Sequence, residues 1–145
     1  MGNVRGFEIP ENLYYDVKNH VWVKIVNGET LVGLDDVGQF LAKRIVFVRP
    51  KPPGSHVKKG DPLVMIESVK WVGVLPSPLT GTVAGVNQEV MRKPLLVNQK
   101  PYESWIVKLK PEKIEEELKS LVTGQKALEE QEKDMDRRGI KSKGA

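Results

Sequence analysis

The sequence predicts a mainly β fold, a small β sandwich or partly closed barrel followed by a C-terminal helical extension. Three observations point there. Short runs of alternating or continuous apolar residues recur between His20 and Leu109, Gly and Pro punctuate them closely, and the hydrophobic period changes from strand-like to helix-like after Pro111. With 145 residues, of which 39% are hydrophobic, the chain can bury one core and little more. The natural division is therefore a β domain over residues 1–110 and a helical extension over residues 111–145.

Taken in order, residues 1–19 contain Gly, Pro and Asn and read as a non-regular arm whose Phe7, Leu13 and Tyr14 lie across the body. His20 to Val26 is the first clear strand, because His20, Trp22 and Lys24 alternate with Val21, Val23 and Ile25. Asn27-Gly28 is a strong hairpin signal and returns the chain along Thr30 to Leu34. Asp35 and Asp36 suit the start of a short helix over Val37 to Ala42, since a carboxylate can accept from the amides that a first turn leaves unpaired. Ile45 to Val48 is the next strand, and Pro50 to Gly54 ends it because proline has no ladder donor.

Pro62 to Gly81 holds two buried-type runs, Leu63 to Ile66 and Val69 to Leu75, interrupted by Glu67, Ser68 and Lys70. A hairpin presenting Lys70 on a tight turn gives this pattern. Thr82 to Val86 alternates again, Asn87 to Lys93 reads as a loop or short helical turn, and Leu95 to Val97 and Ser104 to Leu109 read as closing strands. Pro111 suits a first helical turn, and Ile114, Leu118, Leu121 and Val122 then fall on one stripe that Gly124 ends. Beyond Gly124, the stripe of Ala127, Leu128 and Met135 is broken by Gln131 and Glu132. This predicts a second helix that docks poorly and a disordered basic tail, Arg137 to Ala145.

Composition excludes several classes. No apolar run reaches membrane-spanning length, and MGNVRGFEIP lacks the core of a secretory signal, so a cytoplasmic protein without membrane partners is expected. Gly6 stands where a myristoylation pattern needs Ser or Thr. With no cysteine, the protein has no thiol nucleophile or thiolate metal site of its own, and any redox chemistry must come from something attached or bound. Five cations and two acids in residues 133–145 hold +3 of the formal +4 charge, which leaves the body nearly neutral and offers no nucleic-acid face. His20 and His56 are the only histidines and show no metal or triad spacing, so no catalytic residue is expected. Trp22, Trp71 and Trp105 read as core or rim residues.

A lysine near a turn is ordinarily a solvated charge. The motif around Lys70 changes that reading, because Glu67-Ser68-Val69-Lys70 resembles the lipoyl-attachment motif of the glycine cleavage system H protein family. The resemblance continues through His20-Val21-Trp22-Val23, Val32 to Asp36 with Gln39, Ile45 to Val48, and Leu96 to Trp105, and covers Tyr14 to Lys110. It implies a lipoyl-type β sandwich, or barrel-sandwich hybrid, with lipoate joined to Lys70 as an amide. It also implies that Glu67 and Gly81 help present the site to a lipoylating enzyme. Read without the family, Glu67 is a turn acid and Gly81 a turn glycine with positive φ. The implied function is a non-catalytic carrier that shuttles an aminomethyl group among glycine decarboxylase, aminomethyltransferase and dihydrolipoyl dehydrogenase. A lipoate ligase or lipoyl synthase would load it.

The departures from the family point elsewhere. Val21 and Val74 stand where the family places acids that help hold a charged aminomethyl cargo, and burying an unpaired ammonium is costly. The run Lys70-Trp71-Val72-Gly73 is instead similar to H-like lipoate-binding carriers of a heterodisulfide-reductase-like sulfur-oxidation pathway, whose partner would be the sulfur-oxidising complex. A small nucleic-acid-binding β barrel is a distant alternative. A biotin carrier is disfavoured because Val69 and Trp71 stand where such domains place methionines.

Overall fold

Two sheets face each other across the apolar runs, and a C-terminal helix covers the outside of the larger one. The computed structural model describes residues 2–144. The chain opens with a hairpin of β1 (Asn3–Val4) and β2 (Phe7–Glu8), then β3 (Tyr14–Asp16), β4 (Val21–Val26), β5 (Glu29–Leu34) and helix α1 (Asp36–Ala42). Next come β6 (Ile45–Pro50), β7 (His56–Val57), β8 (Pro62–Ser68), β9 (Val72–Pro76) and β10 (Gly81–Val86). The remainder is α2 (Gln88–Arg92), α3 (Leu96–Gln99), β11 (Val107–Pro111), α4 (Ile114–Glu117), β12 (Val122–Thr123) and α5 (Gly124–Arg138).

Seven strands form one sheet in the order β12-β3-β4-β5-β11-β10-β7, and β6-β8-β9 form the second. Val21, Val23, Val32, Ile66, Leu79 and Leu109, each at most 1% exposed, belong to the core that includes both sheets. A second cluster joins Trp22 and Tyr15 to Phe7, Ile9, Ala127 and Met135. Strand β4 is thus buried on both faces at its start, while Lys24, Ile25 and Val26 run out into solvent at the hairpin end. The N-terminal arm contains strands, and its Phe7 and Leu13 are buried as expected.

Several expected elements differ. Leu95 to Val97 is not a strand: it enters α3, which follows Pro94, a residue with no ladder donor. Asn98 ties α3 down by giving its side-chain N–H to the Lys43 carbonyl at 2.7 Å and accepting from the Ile45 amide at 2.9 Å. Pro111 ends β11 rather than starting a helix. The stripe beyond it makes only α4 and one 3₁₀ turn, Leu118–Ser120, before the chain becomes extended at Leu121. The β-branched Val122 and Thr123 then pair with Tyr15 and Tyr14 at the sheet edge, where the Thr123 hydroxyl donates to the Leu13 carbonyl at 2.7 Å.

The expectation of a poorly docked distal helix and a disordered tail is overturned through Gly144, and Ala145 lies outside the described residues. Helix α5 buries Ala127, Gln131 and Met135 completely, and the polar member of that stripe ties the helix down, because the Gln131 side-chain N–H donates to Asp35 Oδ2 at 2.8 Å, while among the described residues its Oε1 has no partner. The helix closes on Gly139 at φ 73°, with Ile140 N–H bonded to Met135 O and Gly139 N–H to Asp136 O, which is a Schellman end. Ile140 is buried, and Lys143 Nζ reaches the buried Asp36 carboxylate at 2.9 Å. The division at residue 110 therefore does not isolate an extension, since β12 completes the large sheet and α5 its cover.

An ionic hub fixes α5 in place. His20 takes a left-handed φ of 57° in the turn from β3 to β4, a conformation costing about 1 kcal/mol for a residue with a Cβ. Its Nε2 lies 2.7 Å from Asp134 Oδ2, and its Nδ1 lies 3.1 Å from Asp35. Burial works against the imidazolium, but the two carboxylates outweigh it and raise the His20 pKa to about 9. Burial likewise pushes the Asp134 carboxyl up, and His20 and Arg138 reverse this to hold it below the ordinary 3.8.

Two outcomes follow for stability. Met135→Ala leaves a cavity under a fully buried side chain and should cost about 3 kcal/mol, read as a drop in Tm on the order of 10 °C. The His20 contribution is complete below its unfolded value of 6.5 and is lost as pH rises through about 9. The Asp134 contribution is complete above 3.8 and is lost as pH falls through the depressed folded value. Urea unfolding should therefore show stability falling by on the order of 3 kcal/mol across the alkaline window, and Asp134→Asn should at least halve that fall. An unchanged slope in the variant would show that the hub does not set it.

Candidate functional site

Lys70 stands at the tip of the β8–β9 hairpin in a two-residue loop with Val69, closed where the Ser68 amide donates to the Trp71 carbonyl at 2.7 Å. Neither loop residue has a positive φ, so this is not the primed turn of a regular hairpin. The Val69 amide instead donates to Arg44 O at 3.0 Å, which ties the tip to the segment entering β6. Lys70 is exposed, and its amide bonds the Ser68 hydroxyl at 3.3 Å.

Trp71, next to the lysine, folds back over β9. A Cβ placed on Gly73 would lie 2.0 Å from the indole ring, so a side chain there would displace it. The indole remains 46% exposed and forms one wall of a cleft of about 420 Å³ that runs under the tip. Leu34, Leu41, Ala42 and Leu75 supply its apolar lining, Gly38 of α1 keeps it open, and Lys70 reaches its rim. Helix α1 is positioned by its cap, since Asp35 Oδ1 accepts from the Gly38 amide at 2.8 Å, as the sequence predicts.

The other expected site residues separate. Glu67 pairs with Val72 at the base of the tip and is half-buried, so it sits beside Lys70. Gly81 begins β10 in the other sheet, beyond the open end of the hairpin, and its φ is not positive. Glycine is required there for a different reason: a Cβ would meet Lys110 O at 2.3 Å. Val74 and Trp71 do face the cleft, whereas Val21 is fully buried in the core and does not line it. Asn19 lines the cleft, but Asp35 is committed to the His20 hub. Sequence reading missed Lys18 and Arg138 in this lining. Lys18 lay in a segment read as an irregular arm, and Arg138 in one read as disordered.

Comparison with known proteins agrees with this geometry. The glycine cleavage H-protein family profile matches residues 13–134. The chain is 44% identical over 138 residues to glycine cleavage system H protein 2 of Aquifex aeolicus, covering 94% of this chain and 86% of that protein. It is 47% identical over 126 residues to a probable glycine cleavage system H protein 2 of Saccharolobus solfataricus, covering 84% of each. The crystal structure of a glycine cleavage system H protein from Mycobacterium marinum superposes with a TM-score of 0.73 at 25% identity, over 84% of this chain and 98% of that one. The exposed lysine on its hairpin, the sandwich beneath it and these matches together place the chain in the glycine cleavage H-protein family, whose members are lipoyl carriers and not enzymes.

Proposed function

We propose that Lys70 carries lipoate as an amide and that the protein moves a cargo between partner enzymes on the resulting arm. The observation that carries this reading is the exposed Lys70 at a hairpin tip directly above an apolar cleft. The residues fit the group. The lysine side chain is reachable, the tip is braced to β6, and the cleft offers apolar surface beside it. When bound, lipoate supplies a disulfide that accepts and releases cargo by thiol–disulfide exchange. The chain's own part is to hold Lys70 outward for partners and to shelter what the arm brings back. Glu67, beside the tip, is the residue we assign to recognition by a lipoate ligase or a lipoyl synthase. Gly81 acts at a distance, by letting β10 close on β11.

The family relation implies partners of the glycine cleavage system, with glycine decarboxylase, aminomethyltransferase and dihydrolipoyl dehydrogenase exchanging an aminomethyl cargo. One observation favours the second reading, a carrier for a sulfur-oxidising heterodisulfide-reductase-like complex. Among the described residues no carboxylate lines the cleft, so a cationic aminomethyl cargo would be buried there without a charged partner.

Incubation with a lipoate ligase, followed by intact mass and peptide mapping, should place one lipoyl group on Lys70 and none on the Lys70→Arg variant. Modification of Lys58 or Lys93 instead would overturn the site. In a reconstituted glycine cleavage assay, turnover should lie at least about tenfold below that of an ordinary H protein, the cost of one missing charged partner. Val74→Asp should recover part of it, and turnover equal to the ordinary protein would restore the aminomethyl reading.

A further inference from the structure

The polar rim of the cleft under Lys70 is cationic. Lys18 and Arg138 line it beside Asn19. The neighbouring carboxylates are engaged elsewhere: Asp16 accepts from the Asn19 amide at 2.8 Å, Asp35 from Gly38, His20 and Gln131, and Asp134 from His20 and Arg138. Amide formation at Lys70 would remove that ammonium, and Lys18 and Arg138 would remain beside the His20 imidazolium, which also lines the cleft but is held between Asp35 and Asp134.

Arg138 has donors to spare. Its Nε–H bonds Asp134 Oδ2 at 2.8 Å, and one terminal nitrogen lies 3.5 Å from Lys18 O. A guanidinium carries five N–H donors in a planar fork, so the side facing the cleft can still meet an oxyanion. The bond to Asp134 fixes the direction of the fork, because Asp134 is itself held by His20. Leu34, Leu41 and Leu75 share the cleft lining with Arg138. Arg138 lies just beyond residues 13–134, the span of the family match.

We propose that the cleft is an oxyanion subsite, with Arg138 as the contacting donor and Lys18 as the second cation, and that it receives a carboxylate- or sulfonate-like group at the end of the cargo. This rests on the reading of Lys70 as the arm's attachment point. It names the charge class of the cargo, which that reading leaves open.

The test uses the full chain lipoylated at Lys70, with the arm reduced and both sulfurs capped in three ways. Iodoacetate, iodoacetamide and bromoethylamine each lose halide as a thiolate forms an S–C bond, giving caps of similar size that are negative, neutral and positive. The indole resonances of Trp71, the methyls of Leu41 and the Nε of Arg138 report a docked cap by NMR. The negative cap should dock about fivefold more than the neutral one, the upper range for a partly exposed charge pair, and the positive cap least. Arg138→Gln should reduce the negative cap to the neutral level, Arg138→Lys should restore part of the difference, and Lys18→Gln should lower it. Equal docking of all three caps, or best docking of the positive one, overturns the subsite. Should Arg138→Gln unfold, the ranking of caps on the unaltered chain together with Lys18→Gln decides the matter in the same way. Failure of Lys70 to accept lipoate overturns the carrier reading and this proposal together, whereas normal loading with equal docking overturns this proposal alone.

Discussion

The imidazolium of His20 between Asp35 and Asp134 is the contact on which the shape of the site depends. It joins three elements distant in sequence: the turn before β4, the cap of α1 and the last turns of α5. Each of these contributes a wall of the cleft, through Lys18 and Asn19, through Gly38 and Leu41, and through Arg138. The hub balances its own charge, because two carboxylates face an imidazolium and the Arg138 guanidinium. A buried ion pair of this kind adds little net stability over apolar packing, but breaking it by removing one partner is costly. Its role is therefore to specify one arrangement of α5 on the sheet.

Sequence patterning made the strands legible wherever burial is one-sided or a turn residue is decisive, as at Asn27-Gly28 and at the Asp35 cap. It also placed Lys70 at a hairpin tip. What it could not show is long-range compensation. Gln131 interrupts the apolar stripe of α5 and the acidic Asp134 adjoins it, and only their partners Asp35 and His20, more than ninety residues away, turn these polar positions into attachment. Lys143 in the basic tail is similar, since its partner Asp36 is buried beneath the N-terminal arm. In β12 the extended conformation comes from the free edge of β3 and not from Val122 and Thr123 alone. The cleft is half legible: Val74 lines it as its place in the family resemblance implies, while Val21 does not, because both faces of β4 are buried at that point.

Two tryptophans use the same packing device for different ends. The Trp22 ring lies over Gly33 of the neighbouring strand, where a Cβ would be 2.6 Å away, and its indole N–H donates to Pro101 O at 3.0 Å. That ring is a closed part of the second core. Trp71 lies over Gly73 in the same manner but keeps nearly half its surface exposed, so a flat apolar wall is left beside Lys70. The glycine in β9 is thus a site residue in effect, since any side chain there would push the indole out of its place in the cleft.

A carrier of this design separates reach from selection. The hairpin tip sets reach: Lys70 is exposed, its loop is short, and the bond from Val69 to Arg44 O keeps the tip from wandering. Nothing at the tip discriminates between cargoes, because a long flexible arm presents its end to any enzyme that can approach. On the proposed attachment at Lys70, selection falls to the surface where the arm returns, and the cleft is a concave surface that Lys70 itself lines. Its apolar lining favours the arm's hydrocarbon, and its charged rim acts only on the end of the cargo. A cationic end finds no carboxylate in the lining to pair with, since Asp134 is taken up by His20 and Arg138, while an anionic end can meet Lys18 and the free donors of Arg138. Since Arg138 is aimed by Asp134, and Asp134 by His20, the proposed preference for an anionic end would depend on the same ionic hub that docks the C-terminal helix.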